Sequence, residues 1–326
     1  MFLYFASLLV CTYGTIVRYS TEPMYITSTA RISRMPAHMF IPVQVHIPEI
    51  DSTIAALAYL SFSSSQMSWL DNRPQRNRSL LTDYIIIGDD LRMPLTVRIP
   101  REEMRNPIFL IGATFNSTLS RFAGDYLFVP DDRDSGRLVI RPTNPTDFTY
   151  NGYIAYSSIS VHREERVGIR SVSLVFPNGT IVESQTIRTN VESGTSPSAS
   201  INRSVLFTFI PSDLWNCLNA FLAPLGYSGI TMFEVNDIDI DTLPSVVFTL
   251  PSTTNQTTNQ DQSAFSLVLE PRHYFMPIGT DHRYHITLGS RSVDPSNMQI
   301  GRNLLQTLVV HVDGDRIGFG EPMAEL

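Results

Sequence analysis

Three histidines within thirteen residues, His273, His282 and His285, together with Asp281, form the densest grouping of side chains able to hold a metal ion. Their spacing speaks against that chemistry. The segment is β-rich, so His282 and His285, three apart, point to opposite faces, and no Cys or Glu completes a ligand set. The expectation is surface or partly buried imidazoles, with no metal and no cofactor. Nucleophile and phosphate chemistry have no better footing. The sequence holds no Gly-x-Ser-x-Gly elbow, no His-Glu-x-x-His, no glycine-rich phosphate loop and no Cys–His pairing. All 24 basic residues are Arg. Without a lysine amine there is no Schiff base, no phosphate-loop lysine and no Ser-x-x-Lys nucleophile.

The elements that would position any site are read from the pattern of apolar residues. The chain has 326 residues, 43% hydrophobic and 17% charged, which is a globular composition with room for one large or two medium domains. Its formal charge of −7, from 31 acidic side chains against 24 basic, argues against a nucleic-acid partner, which needs a basic face. Short apolar or alternating runs recur every ten residues or so. They include Phe40 to His46, Ala55 to Phe62, Tyr84 to Gly88, Leu95 to Ile99, Ile108 to Ala113, Leu138 to Ile140, Tyr153 to Val161, Val172 to Phe176, Val246 to Leu250, Phe265 to Leu269 and Leu308 to Val312. Separated by Pro, Gly, Asn, Asp and Ser, they predict a mostly-β protein. One clear helix is expected over Pro211 to Leu222, with Leu214, Leu218 and Phe221 on one face and Ser212 or Asp213 near its N-cap. Arg101 to Arg105 suits one further turn. The stretches from Thr189 to Ser200 and from Pro251 to Gln262 read as exposed loops, and the charge run His162-Arg-Glu-Glu-Arg166 as a hairpin cap.

Residues 1–14 are mostly apolar, too short to span a bilayer and of signal-peptide length, although no basic n-region stands before Phe2. Secretion is the expectation, with 15–37 a possible propeptide. No later stretch reaches the roughly 18 apolar residues of a membrane span. Loss of Cys11 with the leader leaves Cys217 alone, so no internal disulfide can form. Five Asn-x-Ser/Thr sequons, at Asn77, Asn116, Asn178, Asn202 and Asn255, add weak support, since sixteen Asn in a Ser/Thr-rich chain give about three by chance.

A looser echo between the two halves carries a family resemblance. Phe62-Ser-Ser-Ser-Gln-Met-Ser-Trp-Leu70, preceded by the apolar run Ala55 to Leu60, resembles the first active-site segment of plant-type pepsin-like aspartic proteases, Asp-Thr-Gly-Ser-Asp-Leu-Thr-Trp-Val. Ser200-Ile-Asn-Arg-Ser-Val-Leu-Phe-Thr-Phe-Ile-Pro-Ser-Asp-Leu-Trp-Asn216 resembles the second, Ile-Ile-Asp-Ser-Gly-Thr-Thr-Leu-Thr-Tyr-Leu-Pro-x-x-Leu-Tyr, with Thr208 and Pro211 fixing the register. Thr242-Leu-Pro-Ser-Val-Val-Phe-Thr-Leu250, followed by Tyr274, is similar to the family's Leu-Pro-x-Ile-x-Phe strand. The stretch from Gln299 to Phe319 is similar to its Ile-Leu-Gly segment and closing Arg-Ile-Gly-Phe. The four stand in family order from about Phe40 to Phe319, while Leu70 to Ala155 matches poorly.

The resemblance implies an all-β, bilobed pepsin-like fold of barrels or sandwiches, with few short helices. The lobes, 38–155 and 156–326, would each give one ψ-shaped loop to a central cleft. Family chemistry needs an Asp on each loop, so that two close carboxylates share a proton and polarise the attacking water. Phe62 and Asn202 stand at those positions, and the loop glycines are replaced by Ser64 and Ser204. Neither Phe62 nor Asn202 ionises, so no catalytic residue is expected. Phe62, Ser63, Ser64, Asn202, Arg203 and Ser204 would line the cleft floor. Arg203, placed there, requires an acidic partner that the sequence does not identify.

Literal look-alikes of the lost motif exist at Asp51-Ser-Thr53, Asp134-Ser-Gly136 and Glu192-Ser-Gly-Thr-Ser196. Asp134 reads as a turn, Asp51 as the start of a hairpin, and Glu192 lacks the apolar strand that should follow. Only fourteen residues separate Trp69 from Tyr84, too few for the family's loops and flap together. Trp69 and Trp215 read as core packing. The resemblance therefore implies a secreted monomeric pseudoprotease that binds a peptide or protein. The alternatives are an active aspartic endopeptidase with divergent motifs, or a structural surface protein with a filled cleft.

Overall fold

The computed structural model describes residues 15–20, 23–28, 31–36, 40–61, 68–69, 79–88, 91–100, 108–112, 118–131, 135–160, 165–203, 205–225, 232–234, 239–253, 264–278, 283–290 and 298–323. The fold is all-β with a few short helices. The first half runs β1 (Thr15–Ser20), β2 (Pro23–Ser28), β3 (Arg31–Pro36), β4 (Phe40–Ile47), β5 (Ser52–Ser61), β6 (Ser68–Trp69), β7 (Ser79–Leu81), β8 (Tyr84–Ile87), β9 (Leu91–Pro94), β10 (Arg98–Pro100), β11 (Ile108–Gly112), α1 (Thr118–Ala123), β12 (Tyr126–Pro130) and β13 (Ser135–Ile140). The second begins with β14 (Ala155–Ser160), β15 (Arg166–Gly168), β16 (Ser171–Val175), β17 (Ile181–Glu183), α2 (Gln185–Glu192), β18 (Ser198–Asn202), β19 (Thr208–Phe209) and α3 (Ser212–Leu222). It ends with β20 (Met232–Glu234), β21 (Ser245–Pro251), β22 (Ala264–Leu269), α4 (Pro271–Tyr274), β23 (Phe275–Ile278), β24 (Arg283–Ile286), β25 (Leu288–Gly289), β26 (Met298–Gly301), α5 (Arg302–Leu305), β27 (Val309–Asp313) and β28 (Arg316–Gly320).

Period-two patterning builds the strands. Along β4, Ile41, Val43, Val45 and Ile47 are buried while Pro42 and Gln44 face out, so one face of the β4–β5 hairpin is core. That hairpin closes through a short 3₁₀ turn, Pro48–Ile50, and Asp51, whose backbone is left-handed at φ 46°. Asp51 therefore lies in the closing turn of a hairpin that begins with β4, and does not start one as its sequence position suggests. In α3, Leu214, Leu218 and Leu222 are buried and Trp215 packs partly buried against the same core.

Two large apolar clusters form. One joins residues of β4, β5, β8, β9, β12 and β13. The other joins β16, β18, β21, β22, β26 and α3 with their neighbours. A smaller cluster joins Leu127, Val129, Val139 and Val309, on the strands that connect them, with Phe148 and Ile154 from the segment before β14. These are β12, β13 and β27. Those strands are one continuous ladder: β13 pairs with β12, β12 with β27, β27 with β28 and β28 with β14. Residues from near the C-terminus thus sit between strands of the first and second halves. At the other end of the chain, β1 pairs along all of β13.

Two local expectations need correction. The stretch from Thr189 to Ser200 is not a loop throughout: Thr189 to Glu192 complete α2, and Ser198 to Ser200 open β18. Ser184 caps α2 by accepting the Ile187 N–H, and Ile187 is fully buried, so tertiary packing and the cap outweigh weak helix formers. Leu95 to Ile99 is not one strand. Between β9 and β10, Leu95 and Val97 bond instead to the Thr82–Asp83 turn, where the Thr82 hydroxyl donates to the Leu95 carbonyl at 2.7 Å. Arg101 to Arg105 and 254–263 lie outside the described residues.

Candidate functional site

The two segments that echo one another in sequence build the same crossing of strands. In the second half, β18 runs parallel to β26, and β19, which follows β18, runs antiparallel to β26. In the first half, β5 is parallel to β11, and β6 is antiparallel to β11. A short helix follows each inner strand, α1 after β11 and α5 after β26. Each half therefore threads its inner strand between the two arms of one loop.

In the second half that loop is closed by polar contacts. Gly301 sits so close to the arm that a Cβ would stand 2.1 Å from the Phe207 carbonyl oxygen, so only glycine allows the crossing. The Gly301 N–H donates to the Thr208 hydroxyl at 3.0 Å, and Thr208 in turn donates to Asn303 Oδ1. Asn303 Nδ2 donates to the Thr287 carbonyl at 2.9 Å. Gln299 Nε2 donates to the Phe207 carbonyl, and the Arg302 N–H to that of Val205, both at 2.8 Å. Buried polar groups satisfied in this way fix a loop in one conformation.

The ladders give the two crossings a common frame. Asn202 stands opposite Gly301, and Ser61 opposite Gly112. Seven residues on, Phe209 and Ser68 each pair two positions before that glycine, with Gln299 and Leu110. Ser61, the neighbour of Phe62, thus takes in the first half the place of Asn202 in the second. Phe62, Ser63, Ser64 and Ser204 lie outside the described residues. The chemistry does not depend on a shift of one position. No Asp or Glu occurs from Ile54 to Leu70, nor from Ser193 to Ser212. Asn202 is half-buried, and its side-chain carbonyl accepts the Val205 N–H at 3.2 Å, so that oxygen serves the turn of its own loop.

Arg203 lies 2% exposed, with its guanidinium carbon 4.4 Å from the centre of the Phe128 ring. Phe128 and Tyr126, edge to face at 5.7 Å, belong to β12 and to the core of the first half. Arg203 thus reaches from the crossing loop of one half onto the other core, in a cation–π contact screened from water. An acid, Glu165, acts on the same neighbourhood. Burial drives the Tyr126 phenol far above its ordinary pKa, the Glu165 charge adds to that rise, and Arg203 opposes it. Both ions therefore act on one buried hydroxyl. Glu165 is itself buried, and its carbonyl accepts the Ile201 N–H at 2.8 Å, one residue before Asn202. A buried carboxylate and a buried guanidinium of opposite sign thus share one neighbourhood, and a lone carboxylate is not a proton-sharing pair.

The remaining look-alikes build no crossing of this kind where they are described. Glu192 is exposed at the end of α2, paired with Arg188 at 3.0 Å, and Gly194 turns the chain away at φ +79°. Asp51 is fully exposed and Asp134 lies outside the described residues. Of the histidines weighed as ligands, His273 is half-buried and His285 buried on β24, edge to face with Phe207 at 5.3 Å, while Asp281 and His282 lie outside. Among the described residues no three His, Cys, Asp or Glu side chains are placed to hold a metal. Tyr84 stacks on His46 at 4.6 Å within the β4–β8–β9 ladder. Tyr274 donates to the Pro244 carbonyl at 2.7 Å, tying together the two residues that mark the third family-like segment.

Sequence reasoning missed Glu165, Tyr126 and Phe128. Glu165 is hidden inside a charge run that does join β14 to β15, yet it faces inward. Its signal was its distance of one residue from the strand that pairs with β18. No helix among the described residues is long and apolar enough to cross a membrane. No protein-family model matches the chain, and no curated protein is significantly similar to it in sequence.

Proposed function

We propose that the chain is a secreted, catalytically inactive relative of pepsin-like aspartic proteases, a pseudoprotease that acts by binding a peptide or protein in or around the cleft between two lobes. One observation carries the reading. Both halves keep the crossed-strand loop that would present a catalytic aspartate, and both loops are free of carboxylates from end to end. General acid–base hydrolysis by a proton-sharing dyad needs two acids at that place, and these loops supply none. The apolar leader-like residues 1–14 support secretion.

A second reading, a structural surface protein, draws support from Arg203. It is buried over Phe128, whereas a residue on the floor of an open groove would be exposed to solvent. Two measurements separate the possibilities. Purified protein is incubated with an unfolded protein substrate from about pH 3 to 7, with and without a transition-state-mimicking aspartic protease inhibitor. No inhibitor-sensitive cleavage is expected, and such cleavage would overturn the proposal. Fluorescent peptides spanning that substrate are then titrated at neutral pH. Saturable binding is expected of the pseudoprotease, and its absence across the set favours the structural protein.

A further inference from the structure

We propose that Asn178 is an N-glycosylation site of the chain and that Asn202, which carries the same motif, is not. This rests on the secretory reading above, since the transferase that reads Asn-x-Ser/Thr works in the secretory compartment. Asn178-Gly-Thr180 forms the tip of the hairpin between β16 and β17, where Pro177 to Thr180 are all exposed. The Gly179 N–H donates to the Phe176 carbonyl, and the Phe176 N–H to that of Thr180, both at 2.9 Å. Gly179 takes the left-handed φ of +83°, with nothing within 4 Å of where a Cβ would stand. Pro, Asn and Gly in that order suit such a turn, so it forms from local residues alone.

The acceptor is also oriented. Asn178 Oδ1 accepts the Thr180 N–H at 2.9 Å, which turns the carbonyl of the amide toward the third residue of the motif and leaves Nδ2 on the outer side. In the transfer, Nδ2 forms a bond to C1 of an oligosaccharide held on a polyisoprenyl diphosphate, and the bond from C1 to the diphosphate oxygen breaks. The lipid diphosphate leaves with the bonding electrons, and Nδ2 gives up one proton. A glycan here stands beside β17, an edge strand of its four-stranded sheet, whose Ile181 is 66% exposed. Covering such an edge discourages strand pairing between molecules.

Asn202 has the opposite surroundings. It pairs with Gly301 in β26, its carbonyl closes its own loop, and its neighbours Ile201 and Arg203 are buried. A glycan on Asn202 would prevent the crossing from closing.

The test expresses the chain in a eukaryotic secretory host, once behind its own N-terminus and once behind a heterologous leader. Peptide mapping follows, with peptide-N-glycosidase treatment in heavy-oxygen water to mark each occupied Asn. The Asn178 peptide is expected to be marked. Asn178→Gln and Thr180→Ala should each remove the mass of one glycan, and Asn202→Gln should remove none. An unmarked Asn178 in folded, secreted protein, or a marked Asn202, overturns the proposal. Retention of the chain behind its own N-terminus, with Asn178 marked behind the heterologous leader, would refute secretion and leave the site standing.

Discussion

His285 gives this fold a stability that falls in acid. The side chain is 4% exposed on β24, between Met232 and Met276 of the flanking strands and against the Phe207 ring. Burial pushes its pKa down from 6.5 to about 4. The folded chain thus keeps the imidazole neutral through a range in which the unfolded chain protonates it. Below pH 6.5 the unfolded state binds the extra proton, so stability drops by about 1.4 kcal/mol per pH unit until the folded imidazole also titrates. Between pH 6.5 and 4 the loss sums to roughly 3 kcal/mol, a large share of the ~5–15 kcal/mol that holds a domain folded. Urea unfolding followed by tryptophan fluorescence at pH 7 and pH 4.5 measures it, in the wild type and in His285→Phe. The stability difference between the two proteins should shift by roughly 2–3 kcal/mol in favour of the variant at the lower pH. A difference that stays constant with pH would refute the reasoning. His311, buried on β27, has its pKa lowered by burial against the opposing pull of Asp125 and Asp313, and acts in the same direction. Proton-sharing aspartates work in acid, and two buried neutral imidazoles weaken the fold in that range.

Glu165 and Arg203, two buried opposite charges that act on the Tyr126 hydroxyl, should be coupled, so that Arg203→Met destabilises the protein by about 3–5 kcal/mol in urea unfolding. Adding Glu165→Gln should recover part of the loss, and a cost under about 1 kcal/mol for Arg203→Met alone would show that the two ions are not coupled. Gly301→Ala should cost about 3 kcal/mol, the upper end for overpacking, since its methyl meets backbone at Phe207. Thermal unfolding reads that loss directly. Asn202→Asp should give no inhibitor-sensitive cleavage of an unfolded substrate at acidic pH, because Ser61 and Phe62 supply no second carboxylate. Turnover in that variant would mean that an acid elsewhere in the chain completes a dyad.

The strands were legible wherever one face meets water. Ile41, Val43, Val45 and Ile47 announce β4 because Pro42 and Gln44 between them stay exposed. β12, Tyr126 to Pro130, gives no such signal: it is buried on both faces, and a continuous apolar run carries no period. The two crossings were expected only through a family resemblance, and the close approach of backbone that Gly301 permits is visible in the structure alone. What fills the loops could not be read from the sequence either. Arg203 demanded an acid, and the sequence offered 31. Glu165 comes beside the second crossing only through the pairing of β15 with β18, a contact between segments thirty residues or more apart. The α2 helix was missed because Thr, Asn and Ser prefer turns, and only the Ser184 cap and the buried Ile187 decide the matter.

The ladder that joins β13, β12, β27, β28 and β14 also sets an order of events in time. Val312, near the end of the chain, belongs to the same cluster as Ile41 and Leu60, and β12 finds its second neighbour only when β27 has been made. At about 5–20 residues per second, synthesis of the chain between β13 and β27 takes roughly ten to thirty seconds. Throughout that interval one edge of β12 lacks its partner, so the sheet of the first half is completed only after β27 has been made. A stop codon at or before Val309 would therefore leave β12, in the half that was made first, without its second neighbour.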